Sequence, residues 1–376
     1  MDKYIYKGNY EYFKKLRQYD QMTPIERSMA ISQGREVDRM PVHIMADLMF
    51  PELLGMTVKE SELSARSKAD LQIYGYRMLG NDSVGMMHGL YSLPIALGGE
   101  YVDPDNTTRT LVSPPVKDIH DLAVLDLDNV NMEKDTAARN AFDALRYMRE
   151  EIGEEVNCTM NFTAPFTVAS GIVGVETFLI MLVREPEIAT RIMDFVLEAQ
   201  FKLAEYFLKD GFSVGTSDPI ASNSVISPRQ YRQFAMPYEI AFAKRISAYT
   251  GKPLGIHICG QTRKILKDVA DAGFVSFSMD NMVDLAEAKK LVGDRMYLLG
   301  NVDPVGVMYQ KTPEEVSEAV KNCYHKAWDS PMGFAIHNGC DLPAGVPKEN
   351  ILAYMETAKI CATDMAKAEP EHIWDY

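Results

Sequence analysis

Short, strongly apolar runs alternate along this chain with longer segments of helical periodicity. Eight of the apolar runs have the length of strands, and several are apolar almost throughout, as expected for strands that are covered on both faces. They occupy residues 40–46, 82–88, 156–162, 212–218, 253–259, 274–279, 296–302 and 332–339. Parallel strands that are buried on both faces are typical of an α/β protein.

Helix start and stop signals stand between these runs. Ser227 is a predicted N-cap followed by Pro228 at the first helical position, and Thr312 with Glu315 has the spacing of a capping box. Gly211 has the position of a helix-terminating glycine. Eight strands, each followed by helical sequence, predict the α/β class and a (β/α)8 TIM barrel with an N-terminal extension.

The chain divides into two unequal parts. Residues 1–22 are rich in tyrosine and are predicted to form an N-terminal arm that packs on the barrel or on a second copy in a homo-oligomer. Residues 23–376 are predicted to form a single barrel domain, and residues 89–135 resemble a loop-rich insertion within it.

Composition removes several classes of partner. The chain has 39 basic and 53 acidic residues, a formal net charge of -14, and no dense cluster of Lys and Arg, so nucleic acid and anionic membranes are poor partners. The longest apolar runs are too short to span a bilayer, and the N-terminal residues do not resemble a signal peptide. We therefore expect a cytoplasmic protein, in which five widely spaced cysteines argue against a disulfide framework.

One strand-like run carries candidate metal ligands at its carboxyl end. In "LGIHICG", His257 and Cys259 are two residues apart, so both side chains face the same side of a strand, and Gly260 begins a turn. Cys340 follows the last predicted strand in another glycine-flanked turn. Carboxyl ends of barrel strands form the mouth where active sites lie, so these three residues are expected to meet there.

One imidazole and two thiolates suit zinc, with a fourth position left for a reactant. The alternative is that each cysteine is a small buried hydrophobe, which is the usual environment of a lone cysteine. Cys323 and Cys361 fall within helical patterns and are predicted to be packing residues, and Cys158 lies in a strand.

Longer motifs resemble a known family over residues 23–365. In chain order they are "MTPIERSMAISQGREVDRMPV", "MNFTAPFTVASGIVGVETFL", "SDPIASNSVISPRQYRQFAMPY", "GIHICG", "LLGNVDP" and "FAIHNGCDLPAGVPKENILAY". This ordered set resembles the uroporphyrinogen decarboxylase superfamily. The His-x-Cys pattern with a distant Cys resembles its zinc-dependent corrinoid methyltransferase branch.

The resemblance implies a function and its components. It implies that His257, Cys259 and Cys340 bind zinc, and Asp280 is a candidate fourth ligand when substrate is absent. It also implies methyl transfer between a methylcobalamin-type corrinoid, supplied by a partner corrinoid-binding protein, and a small thiol or other methyl acceptor or donor. The direction of transfer stays open, and one alternative is an O-demethylase component that moves methyl from a methyl ether to the corrinoid protein.

Two further alternatives are a metal-free lyase that decarboxylates a tetrapyrrole and a non-catalytic binder of a corrinoid or tetrapyrrole. Decarboxylases of the superfamily carry an Arg-rich motif near the N-terminus, whereas this chain has "DRMPVHIMADLMF" there, which disfavours the lyase. Four polar residues at predicted strand ends are candidates for substrate binding, although three of them, Asn161, Asp218 and Asn301, could instead form turns. They are His88, Asn161, Asp218 and Asn301.

Overall fold

Seven of the eight predicted strand segments pair into one parallel sheet in the computed structural model, which describes residues 15–368. In spatial order the strands are β1 (Val84–Met87), β4 (Cys158–Thr163), β5 (Ser213–Ser217), β6 (Gly255–Ile258), β7 (Ser276–Met279), β8 (Tyr297–Val302) and β9 (Phe334–Asn338). Each strand pairs in parallel with the next along the chain, apart from the hairpin strands β2 (Glu100–Val102) and β3 (Thr110–Ser113), which form a separate sheet.

The first predicted strand, residues 40–46, closes the barrel through very few bonds. It makes one parallel bridge, Val42 to Ile336 of β9, and the Val42 carbonyl also accepts a bond from the Asp82 amide ahead of β1. Pro41 has no N–H to donate, and the Val42 amide donates to the Asp82 carboxylate at 2.8 Å instead of to a strand. This first predicted strand, the eighth of the barrel, is therefore reduced to a single bridge. Together with the seven-stranded parallel sheet, it confirms the predicted (β/α)8 class.

Helices cover the outside of the sheet and connect its strands. The N-terminal group consists of α1 (Pro24–Ser32), α2 (Phe50–Leu53), α3 (Val58–Ser61) and α4 (Ala65–Leu79). Between β1 and β5, the chain forms α5 (Ser92–Ala96), α6 (Thr136–Ile152), α7 (Pro165–Val173), α8 (Val175–Arg184) and α9 (Pro186–Lys209). The remainder are α10 (Pro228–Gln230), which continues through a π-helical turn into α11 (Met236–Thr250), then α12 (Leu266–Asp271), α13 (Leu285–Val292), α14 (Pro313–Ala327) and α15 (Lys348–Ala368).

The predicted helix signals act as expected. Ser227 and Thr312 each form a capping box with the residue three positions later, and α9 ends just before Gly211, whose φ of 85° is left-handed. These local interactions satisfy amide groups that the first turn of a helix would otherwise leave unpaired.

The segment 89–135 contains more regular structure than the loop-rich region predicted for it. Besides α5, it forms an antiparallel hairpin of β2 (Glu100–Val102) and β3 (Thr110–Ser113). Arg109 pairs with Asp103 and lies 4.2 Å from the centre of the Tyr101 ring, which ties the hairpin together. The strands are three and four residues long and half-buried or exposed, so they lack the apolar run that identified the other strands.

A buried network of charges lies at the end of the barrel where the strands begin. Asp82, two residues before β1, bridges Arg27 and Arg39, and its bond to Arg39 measures 2.6 Å. Asp38 completes the pairing of Arg27, and Asp20 that of Arg39. This network closes the amino-terminal end of the barrel, so the opposite end forms the mouth.

The N-terminal arm can be followed only in part. Residues 1–14 lie outside the described residues, and the described part begins with a 3-10 turn, Lys15–Tyr19, whose Leu16 is buried. Lys15 forms an ion pair with Glu356 of α15, so this part of the arm packs against the last helix.

Within residues 15–368, no single helix combines the length and apolar character needed to cross a membrane. Only α7 and α8 together reach that length and composition, and they are bent by 104° relative to each other.

Candidate metal centre

Strand β6 points His257 toward the barrel interior and Cys259 follows at its carboxyl end. Ile256 and Ile258, on either side of His257, are buried while His257 is less so, which is the alternation expected of a strand. Gly260 then turns the chain with a φ of 70°, and a Cβ at this position would lie 2.6 Å from Ser224 Oγ. Both the backbone conformation and the crowding therefore require glycine immediately after Cys259.

Cys340 reaches the same point from β9, three strands away. Asn338, the last residue of β9, is fully buried and donates from Nδ2 to the carbonyl oxygens of Cys340, at 2.6 Å, and Met45, at 2.8 Å. Its Oδ1 accepts from the Met45 amide at 2.8 Å. Asn338 thus links the closing segment of the barrel, residues 40–46, to the loop that carries Cys340.

The three predicted ligands are brought together at the mouth. Cys259 Sγ lies 3.6 Å from Cys340 Sγ and 3.2 Å from His257 Nε2, and all three ligand atoms lie within 4.8 Å of one another. For tetrahedral zinc with ordinary bond lengths, the sulfur–sulfur separation is about 3.8 Å and the nitrogen–sulfur separation about 3.5 Å. The spacing and chemistry of these donors fit a zinc ion.

Ser278 on the neighbouring strand β7 determines how the His257 ring is used. The ring Nδ1 lies 3.1 Å from the Ser278 carbonyl oxygen and 3.0 Å from its hydroxyl. A carbonyl oxygen only accepts, so Nδ1 carries the proton and Nε2, on the side of the cysteines, keeps its lone pair. This is the arrangement by which metal-binding histidines are oriented.

The two thiols are electrostatically coupled. A hydrogen bond from Cys259, aided by the nearby His257 and opposed by burial, lowers the pKa of Cys340 to about 4. The same hydrogen bond, together with burial, raises the pKa of Cys259 well above its usual range. The two thiols therefore differ in acidity, and a bound divalent ion would favour the thiolate form of both.

Asp280 lies beside the cluster but outside it. Its Oδ2 accepts from the Gly260 amide at 2.8 Å and its Oδ1 from the Met282 amide at 3.0 Å. The negative charge of Asp280 is also close enough to contribute to raising the pKa of Cys259. In this structure Asp280 holds the turn after Cys259 in place, and its role as a fourth ligand stays a prediction.

Asn161, on β4, faces the barrel interior. The next residue, Phe162, packs outward with its ring 5.6 Å from that of Phe207 on α9. A Cβ at Gly215 of β5 would come within 2.3 Å of Asn161 Oδ1, and one at Gly85 of β1 within 3.3 Å of its Nδ2. The carboxamide therefore lies across two glycines, inside the barrel, where a substrate-binding residue is expected.

Asp218 is fully buried and is directed toward the helices. Its Oδ1 accepts from the amide of Thr167 on α7, at 3.0 Å, and from the Thr167 hydroxyl, at 2.5 Å. Burial raises the pKa of Asp218 to about 6, although the bonds from Thr167 and from Glu239 of α11 act in the opposite direction. The described contacts of Asp218 thus fix the loop after β5 to the surrounding helices.

Asn301 and His88 are also engaged away from the cluster. Asn301 Nδ2 donates to the carbonyl oxygens of Asp280, at 3.0 Å, and of Val283, at 2.6 Å. The His88 ring is buried against Phe162, and its Nε2 lies 2.7 Å from Asp135 Oδ2. Both stay predictions as substrate-binding residues, and their described contacts support the loops and helices around the mouth.

Two residues with clear roles at the centre, Ser278 and Asn338, were not identified from the sequence. Each acts through a neighbouring strand or loop, and strand register is not visible in a single sequence. The alternation in "SFSM" places Ser276 and Ser278 on one face of β7, but only the pairing of Ser278 with His257 shows which histidine it serves.

Comparison with known proteins agrees with this geometry. A family model described as uroporphyrinogen decarboxylase (URO-D) matches residues 23–360. Methylcobamide:CoM methyltransferase MtaA of Methanosarcina barkeri is 26% identical over 333 residues, covering 87% of this chain and 95% of that protein. Methylated-thiol--coenzyme M methyltransferase of Methanosarcina mazei is 27% identical over 346 residues, covering 90% of each.

Among solved structures, a methyltransferase from Methanosarcina mazei has a TM-score of 0.77 at 22% sequence identity. The alignment covers 92% of this chain and 99% of that chain, so the two share one fold over almost their whole length. Because the family model spans most of the chain, including all three cluster residues, this protein belongs to the uroporphyrinogen decarboxylase family.

Proposed function

We propose that this protein is a zinc-dependent methyltransferase that moves a methyl group between a protein-bound corrinoid and a small methyl acceptor or donor, with a thiol as the favoured acceptor. The observation that carries the proposal is the approach of His257, Cys259 and Cys340 to within 4.8 Å of one another at the barrel mouth. Similarity to proteins named as methylcobamide:CoM and methylated-thiol methyltransferases supports the same conclusion.

The protein's own groups prepare the centre for a reactant. Ser278 accepts a hydrogen bond from Nδ1 of His257, which leaves Nε2 directed toward the cysteines, and Gly260 and Asn338 present Cys259 and Cys340 from opposite loops. With two thiolates and a neutral imidazole, the donor set balances a divalent cation and leaves one tetrahedral position open. Zinc held there would keep a thiol as a reactive thiolate or, in the opposite direction, polarise the oxygen of a methyl ether.

The methyl carrier is proposed to be a separate corrinoid protein that docks on the mouth. The names of the relatives specify a methylcobamide as one reactant. The small reactant is proposed to bind in the interior beside Asn161. Asp218, Asn301 and His88 are proposed to support the loops that surround it.

Decarboxylation of a tetrapyrrole receives less support. Such a substrate carries several carboxylates and needs cationic partners. Arg27 and Arg39 are buried at the closed end of the barrel, where aspartates already pair with both guanidinium groups. They are therefore committed to the fold rather than presented at the mouth.

Metal analysis of purified variants tests the proposal. We expect about one zinc per chain in the wild type and loss of zinc in Cys259→Ala and Cys340→Ala. Cys323→Ala is the control, because Cys323 is also a free cysteine but is buried on α14 outside the cluster, and it should retain zinc. Full zinc occupancy in both cluster variants would refute the assigned centre.

Methyl transfer itself is measured by the change in the visible spectrum of free methylcobalamin when a small thiol is added. The wild type and Cys323→Ala should catalyse the reaction, whereas the two cluster variants should not. Activity that survives complete removal of zinc from the wild type would contradict a zinc-dependent mechanism.

A further inference from the structure

His257 stands in a row of polar residues that crosses four neighbouring strands at the mouth. The register pairs Thr163 of β4 with Ser217 of β5, Ser217 with His257 of β6, and His257 with Ser278 of β7. Paired residues of adjacent parallel strands project from the same face of a sheet, and adjacent strands are about 4.8 Å apart. Because His257 projects toward the cluster inside the barrel, Ser217 and Ser278 flank it on either side.

The two flanking serines differ in how their hydroxyl groups are used. Ser278 Oγ is within 3.0 Å of His257 Nδ1 and orients the ring. Ser217 is only 5% exposed, and its Oγ is buried without a hydrogen-bond partner among the described residues. Burying an unpaired hydroxyl is unfavourable, so such a group calls for an explanation.

The surroundings of Ser217 indicate that its hydroxyl faces the interior rather than the helices. The preceding residue, Thr216, is satisfied on the outer side, because its Oγ1 donates to the Phe162 carbonyl oxygen at 3.0 Å. Two residues before Ser217 on the same face is Gly215, over which the Asn161 carboxamide lies. Ser217, Asn161 and His257 therefore line one continuous part of the interior wall.

We propose that Ser217 is a substrate-binding residue whose hydroxyl donates a hydrogen bond to the sulfur of a small thiol bound as a thiolate at the His257–Cys259–Cys340 centre. This inference rests on the proposed function, because it requires a metal ion at that centre. A hydroxyl donates well to an anion, and Ser217 adjoins the ligand His257 on the side that Ser278 does not occupy. Ser278 would thus orient the metal ligand while Ser217 holds the reactant.

The test separates thiol binding from metal binding. The zinc-free protein is loaded with Co²⁺, whose visible spectrum reports ligation, and is then titrated with 2-mercaptoethanol while the sulfur-to-cobalt charge-transfer band is followed. In Ser217→Ala we expect unchanged Co²⁺ affinity and a dissociation constant for 2-mercaptoethanol about tenfold higher than in the wild type. Ser217→Thr, which keeps a hydroxyl at the position, should bind the thiol more tightly than Ser217→Ala.

Thr216→Val is the matched control, because it removes the adjacent, outward-facing hydroxyl of the same strand. It should lower the unfolding temperature without weakening thiol binding. Unchanged thiol affinity in Ser217→Ala would overturn the inference and leave water as the partner of this hydroxyl. An equal loss of Co²⁺ and thiol affinity would also overturn it, by showing a structural role.

Failure of the wild type to bind Co²⁺ at the cluster would be a different result. It would refute the metal centre of the proposed function itself, and the assignment of Ser217 with it. A wild type that binds both Co²⁺ and thiol, with a Ser217→Ala variant that binds them equally well, removes only the inference about Ser217.

Discussion

The Nδ1 atom of His257 lies between the carbonyl oxygen and the hydroxyl of Ser278, at 3.1 Å and 3.0 Å. This pairing across β6 and β7 joins the His257–Cys259–Cys340 cluster to the barrel wall. The carbonyl group alone determines the tautomer, and the hydroxyl adds a second contact that restricts the orientation of the ring. The two contributions can be separated by mutation, because only the hydroxyl belongs to the side chain.

Ser278→Ala is therefore expected to weaken zinc binding by about tenfold, the lower end of the range for residues that support a metal ligand, because the carbonyl contact remains. Competition with a chromophoric chelator measures the change. Ser276→Ala is the control, because Ser276 precedes Ser278 on the same face of β7 but pairs with Gly255. A loss as large in Ser276→Ala would show that the strand, rather than the contact to His257, is responsible.

Zinc is expected to stabilise the folded protein through the cluster. A ligand that binds only the folded state at a free concentration about a thousandfold above its dissociation constant contributes about 4 kcal/mol. Thermal unfolding of the wild type and of Cys323→Ala should therefore shift upward when zinc is added, whereas Cys340→Ala should show no shift. An equal shift in Cys340→Ala would place the stabilising ion elsewhere.

Most of the architecture could be predicted from hydrophobic pattern alone. The buried strands are nearly continuous apolar runs, and their order along the chain is also their order in the sheet, apart from the small hairpin. Two features escaped the pattern for physical reasons. The hairpin of Glu100–Val102 and Thr110–Ser113 lies on the surface and lacks an apolar run. The first predicted strand is shortened because Pro41 has no N–H to donate and the Val42 amide donates to the Asp82 carboxylate instead of to a neighbouring strand.

The candidate site could likewise be predicted only in part. The meeting of His257, Cys259 and Cys340 could be predicted because each lies near or just after the carboxyl end of a strand, and these ends converge in a barrel. Asp218 and Asn301 also end strands, yet their side chains bond to Thr167 and to the loop after β7. Position at a strand end indicates the mouth, but the direction of a side chain there depends on loop conformations that a single sequence does not reveal.

At pH 7, the ionised carboxylate of Asp218 is expected to lower the free energy of unfolding and that of Asp135 to raise it. Burial raises the pKa of Asp218 from 3.8 to about 6, so the folded state holds its proton more tightly than the unfolded state. Between about pH 4 and pH 6, this group makes stability fall as pH rises, because ionisation is easier in the unfolded chain. Asp218→Asn keeps an acceptor for Thr167 and should raise the free energy of unfolding at pH 7.

Asp135 is the contrasting case. Burial alone would raise its pKa, but His88 and amides at the start of α6 lower it below 3.8. The stabilisation that ionised Asp135 provides is present above about pH 4 and is lost as pH falls through the lowered pKa. Asp135→Asn should therefore destabilise the protein at pH 7. Urea unfolding across pH 4 to 8 measures both variants, and effects of the same sign at pH 7 would contradict this assignment.

Asn338 is expected to support zinc binding at the cluster as well as the stability of the fold. It makes three hydrogen bonds, two to Met45 and one to the Cys340 carbonyl, and Asn338→Ala would remove all three, leaving the Met45 carbonyl only its bond from the Leu342 amide. The expected cost is about 2 to 4 kcal/mol of unfolding free energy. Cys340 would also lose the contact that holds its loop near Cys259, so zinc affinity should fall.

Asn350→Ala provides the matched comparison. Asn350 is equally buried and donates two hydrogen bonds, to the carbonyl oxygens of Met308 and Lys311, but neither of these bonds reaches Met45 or Cys340. Chemical denaturation should show a loss of stability in both variants, whereas chelator competition should show weakened zinc binding only in Asn338→Ala. Equal zinc affinities in two comparably destabilised variants would mean that Cys340 reaches the cluster without help from Asn338, and that the closing segment of the barrel is not coupled to the metal centre.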